Sequence, residues 1–139
     1  MKPTQHSSPA ISILAVEDDK VTREVLNLMI PRKFPDVTIY TTENGRTAVE
    51  LFKKHKPEIV ITDIQMPEMD GIEMAGEIKA IEADTKFIVV TAYSNTSYYE
   101  KFNNIGFHDF LPKPIEFDKL FAAIEKCIAE ITMERQQSM

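Results

Sequence analysis

The 139 residues suffice for one hydrophobic core and are too few for two. Hydrophobic residues at 43% and charged residues at 27% match a soluble globular domain, with no apolar run near the ~20 residues of a membrane span and no secretory signal at the N-terminus. A net charge of −6, from 16 Lys plus Arg against 22 Asp plus Glu, disfavours direct nucleic-acid binding, and the lone Cys127 excludes an internal disulfide or a cysteine zinc cage.

The polar start, rich in Pro and Ser, predicts a disordered leader over residues 1–10. Ile11–Val16 is almost continuously apolar, as in a strand buried on both faces. Asp19 is placed to cap a helix whose inward face is expected to hold Val21, Val25, Leu28 and Met29. Pro31 falls in its last turn and is expected to kink or end it. Val37–Thr41 alternates, which suits a half-exposed edge strand. Asn44 can cap a second helix with Ala48, Leu51 and Phe52 inward.

Ile59–Thr62 reads as a third strand. A helix follows with Met74, Ala75, Ile78 and Ile81 on one face, and Gly76 within it costs ~1 kcal/mol relative to Ala. Phe87–Thr91 reads as a fourth strand. The next helix spans about Asn95 to Ile105 and stops at Gly106. Phe110-Leu111 is a short fifth strand ended by Pro112, with His108 in the loop before it. The last helix has the stripe Phe117, Leu120, Phe121, Ile124, Ile128 and Ile131. Cys127 is expected on its polar side as a bystander thiol. The domain is placed at 11–132, with a flexible tail over 133–139.

Strands alternating with single helices imply right-handed crossovers and a parallel sheet covered on both faces. Ligands of such sheets bind beyond the carboxyl ends of the strands. Glu17, Asp18 and Asp19 follow the first strand there, Asp63 the third and Lys113 the fifth, while Thr91 closes the fourth. Two carboxylates about 4 Å apart repel by ~4 kcal/mol at an effective dielectric near 20. A pocket with Glu17, Asp18 and Asp63 therefore needs a cation or shared protons. Lys113 supplies one charge, and Mg2+, which favours oxygen ligands and retained water, would supply two. Cations around a carboxylate, with the Thr91 hydroxyl as donor, suit a phosphoryl group accepted by Asp63 as nucleophile. The three histidines show no metal-ligand spacing.

These residues lie in stretches that match a family. They are Ile13–Asp19, Asn44–Phe52, Pro57–Gly71, Val89–Tyr93 and Gly106–Pro114. In order and at this spacing, the sequence resembles the receiver domain of two-component response regulators over about residues 11–131. The resemblance implies an α/β, doubly wound, flavodoxin-like (βα)5 sandwich of three layers. Its five-stranded parallel sheet would have the order 2-1-3-4-5.

The resemblance further implies that Asp63 is the phospho-acceptor, with a sensor histidine kinase or histidine phosphotransfer protein as donor. Glu17, Asp18, Asp63 and the backbone carbonyl of Gln65 would hold Mg2+. Thr91 and Lys113 would grip the phosphoryl oxygens. Thr91 and Phe110 would form the switch, and Gln65 and Tyr93 would tune hydrolysis. A cis Lys113-Pro114 bond is expected on the same ground. The implied domain is cytoplasmic and regulatory, with no membrane contact and no turnover beyond its own phosphorylation and dephosphorylation. It signals through a downstream protein or a fused output domain, on the face of the fourth helix, fifth strand and fifth helix. A dimer formed on phosphorylation is a further expectation, and the alternative is a receiver fragment of a larger regulator or hybrid kinase. Phe107 departs from the commoner Ala there, and Pro31 is unusual.

Rival functions fit less well. An aspartate-nucleophile phosphatase needs a second Asp two residues after the first, where this chain has Gln65. A flavin site would need a hydroxyl- and Gly-rich loop where Glu17-Asp18-Asp19 stands, and these acids repel a phosphate. A passive interaction module would not need an intact acidic pocket.

Overall fold

The computed structural model describes residues 10–66, 68–92 and 96–137, with backbone alone at 96–99. Strands and helices alternate as β1 (Ile11–Val16), α1 (Lys20–Lys33), β2 (Val37–Thr42), α2 (Gly45–His55), β3 (Ile59–Thr62), α3 (Gly71–Ile81), β4 (Lys86–Thr91), α4 (Thr96–Ile105), β5 (Asp109–Pro112) and α5 (Phe117–Gln137). The sheet has the order β2-β1-β3-β4-β5, and all four pairings are parallel. The expected (βα)5 architecture is therefore present.

Side chains alternate across a strand, and each sheet face gets its own core. Ile11, Ile13 and Ala15 of β1 face Leu26 and Ile30 of α1 and Leu120, Ile124 and Ile131 of α5. Leu14 and Val16 face the other way, toward Ala48, Val49, Phe52, Met74, Ile78 and Phe102. The central strand β3 is buried throughout, which accounts for its unbroken apolar run. The edge strand β2 is half-buried.

Helix starts follow the side chains that can satisfy free N–H groups. Asp19 accepts from Thr22 N, Asn44 from Thr47 N, and Asp70 from Glu73 N. Gly106 adopts φ 107°, in the left-handed region where glycine is unstrained, and its N–H closes α4 on Phe102 O.

Five expectations about faces and ends need correction. The inward residues of α1 are Leu26 and Ile30, whereas Val21 and Leu28 are exposed. Those two valine and leucine positions lie seven apart and so share one side of the helix, but that side is turned from the sheet. Pro31 does not end α1, which runs on to Lys33. Its missing N–H falls in the last turn, where only one carbonyl loses a partner. Ile81 ends α3 partly exposed.

Cys127 is in the core rather than on the polar side, at 1% exposure, and burial pushes its thiol up to about 12. Finally, α5 continues through Gln137, across residues 133–137 where a flexible tail is expected. Ion pairs hold those last turns. Lys86, itself buried, lies 2.8 Å from Glu134 and 3.7 Å from Glu130. Arg135 pairs with Glu58 at 2.9 Å and donates to Ala10 O.

Candidate functional site: an acidic pocket at the strand ends

The β-ladder continues one residue beyond the strands. Glu17 N donates to Thr42 O, Asp63 N to Val16 O, and Lys113 N to Thr91 O. These bonds hold Glu17, Asp63 and Lys113 at one edge of the sheet, beside Thr91 at the end of β4. Four separate segments thus converge as the spacing predicts.

Asp63 is 8% exposed. Its Oδ1 accepts from Ile64 N at 2.6 Å and its Oδ2 from Lys113 Nζ at 2.7 Å. Glu17 is buried at 3% exposure, with Oε2 accepting from Asp19 N and Oε1 lying 2.9 Å from Lys113 Nζ. One ammonium therefore joins two carboxylates. Burial raises the pKa of Glu17 above its ordinary 4.5, against the lowering effects of the Asp19 N–H and of Lys113. Burial acts to lower the pKa of Lys113, but its hydrogen bonds to Asp63 and Glu17 outweigh that and hold it above 10.5.

Asp18 is exposed at the mouth, and oxygens of Glu17, Asp18 and Asp63 all lie within 4.8 Å of one another. A set of three carboxylates with an open side fits a hard divalent cation that keeps part of its water. Gln65 is exposed, two residues beyond Asp63. Thr91 is 1% exposed. Tyr93 lies outside the described residues.

Close packing shapes the loop after β3. A Cβ on Gly71 would sit 2.1 Å from Asp63 O, so only glycine lets α3 begin this near the site. Gly71 N in turn donates to Ile64 O at 2.7 Å. A Cβ on Gly45 would meet Met69 O of the same loop at 2.6 Å. The Asp-Gly pair at 70–71 was a visible signal for this turn, but the contact with Gly45 has none in sequence.

Phe110 is half-buried on β5 and packs against the core shared by α2, α3 and α4. The ring of Phe107 meets it edge-on, centroids 5.5 Å apart. The residue that departs from the commoner small side chain thus touches the proposed switch aromatic. The Lys113-Pro114 bond is cis, as expected. Asp19 is a helix cap rather than part of the acidic cluster.

A family model for the response regulator receiver domain matches residues 13–125. The chain is 36% identical over 116 residues to the chemotaxis protein CheY of Bacillus subtilis, covering 84% of this chain and 96% of that protein. It is 32% identical over 117 residues to a probable C4-dicarboxylate response regulator, DctR, of Priestia megaterium, of which it spans about half (51%). Among solved structures, the N-terminal domain of an uncharacterized protein from Wolinella succinogenes superposes with a TM-score of 0.83. That domain is 39% identical, with 91% of this chain and 99% of that one covered.

Proposed function

Because the chain belongs to the response regulator receiver domain family, a regulatory phospho-acceptor class rather than an enzyme, we propose that it is a signalling switch phosphorylated on Asp63. The observation that supports this is the convergence of two further carboxylates, Glu17 and Asp18, and one ammonium, Lys113, on the buried Asp63.

A receiver implies a histidine kinase partner, and the donor is a phosphohistidine on such a kinase or on a phosphotransfer protein. An Asp63 oxygen attacks phosphorus, the bond from phosphorus to the imidazole nitrogen breaks, and the imidazole leaves with a proton. Lys113 already holds Asp63 Oδ2 and turns to the incoming phosphoryl oxygens. The Thr91 hydroxyl donates to another of them. Glu17, Asp18, Asp63 and the Gln65 carbonyl would hold Mg2+, which when bound neutralises charge on the transferring group. Gln65 and Tyr93 set the rate at which the product is hydrolysed.

The output runs through α4, β5 and α5. Movement of Thr91 toward the phosphoryl group leaves space behind β4 into which Phe110 turns, since packed interiors do not keep such voids. The recipient is a separate cytoplasmic protein or a fused output domain, and a phosphorylation-dependent dimer is one way the face can be used. No described helix is long and apolar enough to cross a membrane.

Acetyl phosphate with Mg2+ tests the reading. Intact-mass measurement should show one added phosphoryl group per chain, absent in Asp63→Asn. Equal labelling of that variant would refute the assignment of the acceptor.

A further inference from the structure

Behind the acidic pair lies a side chain that the proposed chemistry does not use. Arg23 Nη1 donates to the backbone carbonyl of Glu17 at 2.9 Å and approaches that of Asp18 at 3.4 Å. Nη2 lies 3.8 Å from Glu43, in the turn before α2. The side chain is only 20% exposed, and its backbone N–H is held by Asp19 O in the first turn of α1. One guanidinium thus ties the β1–α1 turn to the β2–α2 turn.

We propose that Arg23 is a positioning residue for divalent-cation binding, fixing the peptide groups from which Glu17 and Asp18 project. This rests on the reading of Glu17, Asp18 and Asp63 as a metal pocket. Glu17 has partners for both its oxygens, but exposed Asp18 takes its direction from the backbone that Arg23 grips. Like charges at the pocket push the turn open in the absence of metal. The planar fork lets Nη1 serve the two carbonyls while Nη2 faces Glu43, a division that a single ammonium makes poorly.

The sign of the effect separates this role from a purely electrostatic one. A cation so close behind the carboxylates repels Mg2+, so removing its charge alone would tighten binding. Losing the support of a ligand typically weakens metal binding 10- to 100-fold.

The experiment is a calorimetric Mg2+ titration of the wild type, Arg23→Met and Arg23→Lys, with metal-free melting curves alongside. Arg23→Met should bind Mg2+ about tenfold more weakly while its metal-free melting changes little, and Arg23→Lys should recover part of the loss. Unchanged or tighter binding by Arg23→Met overturns the positioning role while leaving the metal pocket intact. No Mg2+ binding by the wild type overturns the pocket and this proposal with it. Should Arg23→Met fail to fold, Arg23→Lys decides: several-fold weaker binding than the wild type supports the role, and equal binding overturns it.

Discussion

Lys86 Nζ lies 2.8 Å from Glu134 Oε2, and this pair joins the buried start of β4 to the last turns of α5. The lysine side chain is 5% exposed, while Glu130 and Glu134 are about half exposed. Removing both acids should leave a buried ammonium without counter-charge. Glu130→Gln combined with Glu134→Gln should lose about 1–2 kcal/mol, below the loss for a fully buried pair because water reaches the glutamates. Lys86→Met should stay within about 1 kcal/mol of the wild type. Urea denaturation of both variants checks the asymmetry.

His108 sits beside this cluster. Its Nδ1 is buried without a hydrogen-bond partner among the described residues, and Nε2 is 3.4 Å from Glu130 Oε1. Burial first, then the charges of Lys86 and Lys79, lower its pKa from the ordinary 6.5, against the pull of Glu130 and Glu134. Between the lowered value and 6.5 the unfolded chain binds more protons, so the His108 contribution falls as pH drops through that window. His108→Gln should flatten the pH dependence of stability there, as judged by denaturation midpoints from pH 5 upward. An unchanged slope would refute the assignment.

Two glycines should respond oppositely to alanine. At Gly71 the added Cβ collides with Asp63 O, so the backbone of the site must move. Gly71→Ala should cost about 1–3 kcal/mol or more and reduce phosphorylation by acetyl phosphate. At Gly76, inside α3, nothing lies within 4 Å of the added atom. Gly76→Ala should stabilise by about 0.5–1 kcal/mol through helix propensity alone. Chemical denaturation measures both.

Lys113 and Mg2+ should compete to neutralise the same carboxylates. Lys113→Met leaves Glu17 and Asp63 without their shared ammonium and should lower metal-free stability by about 1–3 kcal/mol. Its Mg2+ affinity should rise. Since the folded pKa of Lys113 lies above 10.5, its stabilising contribution is fully present below that pH and is lost as pH climbs through the folded value. In the wild type Mg2+ should raise the melting temperature, and Asp18→Ala should remove the shift.

The alternation of strands and helices, the buried character of β3, the Asp19 and Asn44 caps and the stop at Gly106 were legible in the residues, because each is a local matter of period, side-chain chemistry or backbone freedom. Carboxylates placed just after apolar runs announced the pocket for a similar reason: a parallel sheet brings all its strand ends to one edge. The resemblance to receivers added the strand order and the roles of single residues.

Other features depended on which side of each element met the sheet. A helix with apolar residues all round, such as α1, offers several stripes, and only docking selected Leu26 and Ile30 over Val21 and Leu28. The core placement of Cys127 and the order of α5 through Gln137 came from contacts with residues distant in sequence, Lys86 and Glu58 among them. The grip of Arg23 on the acidic turn is of the same kind. Its partners are backbone carbonyls, which every residue carries and no side-chain pattern marks, so only the closing of the turn against α1 reveals the bond.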